Sequence, residues 1–72
     1  MTKEEIQHLI EAGLPGARAV VRGDDGQHFD AEVTCAAFAG KSVVQQHRMV
    51  YDALGGRMGG EIHALQLKTR AP

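Results

Sequence analysis

A chain of 72 residues is read as one domain with a thin core, and its formal net charge of −1 argues against a protein built mainly to neutralise phosphates. One tyrosine, two phenylalanines and no tryptophan leave no platform for stacking single-stranded bases, and a single cysteine excludes an internal disulfide. No apolar run approaches the ~20 residues of a membrane span. The polar, acidic start MTKEEIQHLIEAG is unlike a signal peptide, so no membrane association and a cytoplasmic setting are expected.

Thr2 and Glu5 make a capping box ahead of an apolar stripe of Ile6, Leu9 and Ile10, which predicts a helix ending at Gly13. His8 lies off that stripe and is assigned no role, and Pro15-Gly16 reads as a turn. Ala17 to Arg22 is a strand, followed by the turn formers Gly23 to Gln27, in which Asp25-Gly26 signals a hairpin. His28 to Cys35 alternates, with Phe29, Ala31, Val33 and Cys35 on one face and Asp30, Glu32 and Thr34 on the other. Residues 36–41 connect onward, with Phe38 expected in the core.

Ser42 and Gln45 form a second capping box, and Val43, His47, Val50, Tyr51 and Leu54 are read as the apolar stripe of a second helix. Gln45, Gln46 and Arg48 fall off that stripe, and Gly55-Gly56 is the stop, with Arg57 and Met58 in a further turn before Gly59-Gly60. Glu61 to Thr69 is a third strand with His63, Leu65 and Leu67 on one face and Ile62, Ala64, Gln66 and Lys68 on the other. The order helix-strand-strand-helix-strand predicts an α/β fold of the two-layer α+β type: two helices on one face of a three-stranded mixed sheet. The third strand is expected beside the first or the second, because a lone hairpin is marginal in water. Phe29, Val33, Val50, Leu54, Leu65 and Leu67 are the expected core.

No nucleophile elbow, Walker loop, dinucleotide fingerprint or H-E-x-x-H is present, so an enzyme is not expected. Cys35, on the apolar face of its strand, reads as a small buried hydrophobe. His28 and His63 stand at strand starts, where ligands are commonly presented. Two histidines do not close a structural zinc site, so a metal centre built on them is open and completed from elsewhere. A plainer reading stands beside it: His63 as a core-edge histidine bonded to a carbonyl and His28 as loop chemistry. His47 is expected to pack rather than ligate. A DNA-binding surface, by contrast, has to be drawn from Lys41, Arg48, Arg57, Lys68 and Arg70. The Gly40-Lys41 turn before a helix invites comparison with a DNA-reading helix or a KH loop, although it is not a G-x-x-G loop.

The motifs F-x-G-K-S (Phe38 to Ser42), H-R-M-V-Y-x-x-L (His47 to Leu54) and I-H-A-L (Ile62 to Leu65) resemble the BolA family over nearly the whole chain. The loop G-D-D-G-Q-H-F (Gly23 to Phe29) is similar to that of the family's histidine-bearing, IbaG-like bacterial branch. The resemblance implies a type II KH-like fold and an adaptor that partners a monothiol glutaredoxin around a bridged [2Fe–2S] cluster. It implies His63 as the family's recurrent ligand and His28 as the variable second one, which other branches supply as cysteine. A glutaredoxin cysteine and the thiol of glutathione complete the set. The family is also described as transcriptional regulators, so the alternative from another class is a DNA-binding regulator using Lys41, Arg48, Arg57 and Lys68. Whether the isolated chain forms a homodimer stays open.

Overall fold

The structure, a computed structural model, describes residues 1–58 and 60–72; Gly59, expected with Gly60 after the further turn of Arg57 and Met58, lies outside the described residues. Helix α1 spans Lys3–Gly13 and opens on the expected box: Thr2 Oγ1 accepts from the Glu5 amide (3.1 Å) and Glu5 Oε1 from the Thr2 amide (3.0 Å). Ile6 and Ile10 are buried. The helix ends at Gly13 as expected, but not through a left-handed glycine. Leu14 caps it in extended conformation, and Gly13 is where α2 passes: a β-carbon there would lie 2.7 Å from Ala53 Cβ.

Strands β1 (Arg18–Arg22) and β2 (His28–Thr34) form an antiparallel hairpin, and β3 (Ala64–Arg70) lies parallel to β2 on its other side. The sheet order is therefore β1-β2-β3. Of the two expected neighbours, β3 takes the second strand. A parallel pair needs a long crossover, and that crossover carries helix α2 (Val43–Leu54). Phe29 pairs with Leu65, Ala31 with Leu67 and Val33 with Thr69, and these alternate residues face the helices. The other sheet face, with Arg18, Val20, Arg22, Lys68 and Arg70, is exposed. Ile6, Ile10, Phe38, Val50, Leu54 and Ile62 centre the core, each fully buried; burying one such side chain is worth roughly 1.5–3 kcal/mol.

Two expectations need correction. The first is the phase of α2. Val50 and Leu54 are buried, His47 is half-buried as packing predicted, but Val43 is 62% exposed and Tyr51 36%. Gln46, placed off the stripe from sequence, turns partly inward instead. Its amide donates to the carbonyls of Phe38 (3.2 Å) and Lys41 (2.9 Å), and its Oε1 accepts from the Thr69 hydroxyl (2.7 Å). A polar group fully bonded in this way can replace an apolar one at little cost.

The second is the start of the third strand. Alternation begins at Ala64, not Glu61, so Ile62, expected on the face opposite Leu65 and Leu67, is wholly buried, and His63 is exposed. The cause is a turn: the Ile62 amide bonds back to the Arg57 carbonyl (2.9 Å), and Met58 and Ile62 form an isolated parallel bridge. Leu65 and Leu67 do point toward the helices, but on an edge strand they are only half-buried.

Candidate metal centre

The β1–β2 loop must turn tightly against Phe29. Gly23 permits this, since a β-carbon there would sit 2.5 Å from the His28 carbonyl oxygen and 2.7 Å from Phe29 Cδ1. Asp25 then organises the loop. Its Oδ1 accepts from the amides of Gln27 (2.9 Å) and His28 (2.8 Å), the self-closing turn that short acidic side chains favour. Its Oδ2 lies 2.7 Å from His28 Nδ1. The His28 amide chiefly, then the His28 ring and the Gln27 amide, hold the Asp25 carboxyl well below the usual carboxylate range.

His63 reaches the same place from the other direction. Buried Ile62 anchors the chain just before it, and the Ala64 amide bonds to the Gln27 carbonyl (3.0 Å) just after it. Because His28 pairs with Ala64 in the parallel register, His63 emerges next to His28. The two rings meet edge to face, with centroids 5.3 Å apart and planes at 84°. Both histidines are exposed, and His63 makes no hydrogen bond to another described residue. His63 is therefore exposed rather than packed at the core edge, and no carbonyl among the described residues bonds it.

The separation suits joint ligation. Two imidazoles on one tetrahedral ion, with nitrogens ~2.0–2.1 Å from it, place their centroids roughly 5 Å apart. Among the described residues no group of three or more His, Cys, Asp or Glu is placed to hold an ion by itself. What the fold presents is two imidazoles side by side at a solvent-facing edge, which could supply part of a metal's coordination sphere. Imidazole is a suitable donor for iron, so the residues present fit a cluster of the Rieske donor type on this side.

The remaining histidines stay apart from this pair: His8 is exposed on α1, and His47 lies half-buried on α2. Cys35 is buried, its thiol 3.9 Å from the Pro15 carbonyl oxygen. The cations considered for nucleic acid fall on separate surfaces. Lys41 and Arg48 line a concavity with Gly40, Gln45, Met49 and Asp52. Lys68 and Arg70 belong to the outer sheet face, and Arg57 Nη1 donates to the Leu54 carbonyl (3.0 Å). Sequence reasoning missed Asp25 as part of the site. The signal was present: an aspartate three residues before a histidine, across a glycine, can bond that histidine's amide and ring together.

The fold and the paired histidines together define a small α+β protein with an open histidine site. The sequence profile of the BolA family, described as "BolA-like protein", matches residues 5–72. The chain belongs to that family. A structure of a BolA homologue from Coxiella burnetii superposes with a TM-score of 0.90 at 45% identity, covering 100% of this chain and 92% of that one. BolA-like protein 1 of Homo sapiens is 40% identical over 57 residues, 79% of this chain and 41% of that protein. SufE-like protein 1 of Arabidopsis thaliana is 37% identical over 67 residues, 92% of this chain and 17% of that protein. The chain thus spans less than half the length of these two curated relatives. No helix among the described residues is long and apolar enough to cross a membrane.

Proposed function

We propose that the protein is an adaptor rather than an enzyme, and that it works with a monothiol glutaredoxin and glutathione to hold, hand on or sense a [2Fe–2S] cluster. The observation that carries this reading is the exposed His28–His63 pair with ring centroids 5.3 Å apart. His63 and His28 supply two neutral nitrogens to one iron; the glutaredoxin cysteine and the glutathione thiol supply the rest. Bound there, the cluster offers one-electron chemistry at a potential raised by the replacement of thiolates with imidazoles. The loop histidine, His28, is what supports reading the chain as one of the histidine-bearing, IbaG-like branch.

The chain's own residues do the positioning. Ile62 fixes the height of His63 by burial, and the Gln27–Ala64 bond ties the two histidine-bearing segments together. Both rings lie outside the core, so changing them should leave folding intact. The test is anaerobic reconstitution of the chain with a monothiol glutaredoxin, glutathione, iron and sulfide, read by visible absorption and circular dichroism. His63→Ala should abolish the mixed cluster or shorten its lifetime severely. His28→Ala should leave a weaker, spectrally altered cluster, and His28→Cys a retained one of lower potential. An unchanged spectrum and lifetime in His63→Ala, with native far-UV dichroism, would remove His63 from the ligand set and end this reading.

A further inference from the structure

We propose that Asp25 is a positioning residue that holds His28 as the Nδ1–H tautomer, leaving Nε2 as the lone-pair atom offered beside His63. The inference rests on the reading of the two histidines as ligands, but it concerns the free chain and can be decided there. A neutral imidazole has one donor nitrogen and one acceptor nitrogen, and the bond made by one fixes what the other can do. The carboxylate of Asp25 only accepts. Its Oδ2, 2.7 Å from Nδ1, therefore places the proton on Nδ1. Histidine free in water prefers the opposite tautomer, with the proton on Nε2, so the loop inverts the ring's own preference. Metal-bound histidines commonly donate their second nitrogen to a carboxylate in this way, which fixes the tautomer and raises the basicity of the ligating atom.

The same carboxylate also sets where the ring stands. Oδ1 accepts the amides of Gln27 and His28, so the backbone and the side chain of His28 are held by one group. Gly23 lets the loop close on that group, since a β-carbon there would strike the His28 carbonyl oxygen at 2.5 Å. His63 has no such partner among the described residues. Among the described residues, His28 is therefore preset before a metal arrives and His63 is not.

Asp25→Asn separates positioning from mere loop structure. The asparagine carbonyl can keep the two amide bonds, while its NH2 group donates toward the ring. His28 Nδ1 must then accept, and the proton moves to Nε2. Long-range 1H–15N correlation NMR of the free chain, at a pH where the rings are neutral, reads the tautomer directly. The wild type should show a protonated Nδ1 and a bare Nε2 at His28; Asp25→Asn should show the reverse, with His63 unchanged. Asp25→Ser, which keeps an oxygen for the turn but cannot reach the ring, should return His28 to the mixture of tautomers seen in water. A wild-type His28 protonated on Nε2, or a tautomer unmoved in both variants, overturns the proposal. With the glutaredoxin-shared cluster reduced, pulsed EPR should resolve two histidine nitrogens in the wild type. Asp25→Asn should weaken the His28 coupling and shorten cluster lifetime about tenfold or more. Absence of any histidine coupling in the wild type would sink the ligand reading, and the tautomer measurement would still decide the part played by Asp25.

Discussion

Gly13 sets two opposing effects at one position. In a helix, glycine to alanine gains about 1 kcal/mol of propensity. Here the added methyl would lie 2.7 Å from Ala53 Cβ and 3.0 Å from Ala53 Cα, neither of which can swing aside. Overpacking of this kind costs about 1–3 kcal/mol, so the steric term outweighs the propensity. Gly13→Ala should lower the denaturation midpoint, and Ala53→Gly should recover part of that loss in the Gly13→Ala background although it is itself unfavourable. A double-mutant cycle by urea denaturation checks this; additive effects would mean that the helices do not meet here. The glycine's place at the helix end was readable from the sequence. Its reason was not, because the crossing partner lies 40 positions along the chain and leaves no local periodic mark.

At the scale of elements, the helices, strands and capping boxes were legible because each has a local signal: a Ser or Thr with Glu or Gln three residues on, or strict alternation. The errors fall where tertiary bonds interrupt such a signal. Alternation read backwards from Leu65 puts His63 on the inner face, but the turn closed by Ile62 and Arg57 keeps the regular strand from starting before Ala64, so the alternation does not reach His63. In α2, Gln46 looked like a solvent residue because its partners, Phe38, Lys41 and Thr69, lie outside the helix. The candidate site was half-legible. His28 and His63 could be named, their meeting follows from a parallel register no local pattern encodes, and Asp25 passed as a turn former. The Gln46–Thr69 bond (2.7 Å) ties α2 to the edge strand and gives a measurable quantity. Thr69→Val keeps the side-chain shape, removes the donor and leaves a partly buried carbonyl without it. The expected loss is about 1 kcal/mol, read as a lower denaturation midpoint at unchanged slope. Faster amide exchange in β3 should accompany it. Thr69→Ser should retain the bond and most of the stability.

Over the whole molecule, charge is sorted by surface. The outer sheet face carries Arg18, Arg22, Lys68 and Arg70 against Asp30 and Glu32, and Arg22 is already engaged by Glu32 at 2.7 Å. Lys41 and Arg48 lie on the helix layer with Asp52 beside them, and Arg57 is turned back to a carbonyl. A DNA duplex laid on the α2 side meets only two of the cations proposed for it, and one laid on the sheet meets a different set together with two carboxylates. Each phosphate neutralised contributes about −0.9 to the slope of log affinity against log salt. Two or three contacts therefore give a slope of roughly −2 to −3 and weak binding at physiological salt. Fluorescence anisotropy over a salt series should find that slope, with Lys41→Ala and Arg48→Ala each reducing it by about 1 on every sequence alike. Lys68→Ala should leave the contribution of that pair untouched, because it belongs to the opposite layer. Nanomolar, sequence-selective binding by the free chain at physiological salt would place the DNA-regulator reading ahead of the cluster adaptor. It would require a surface that gathers cations which the fold keeps apart.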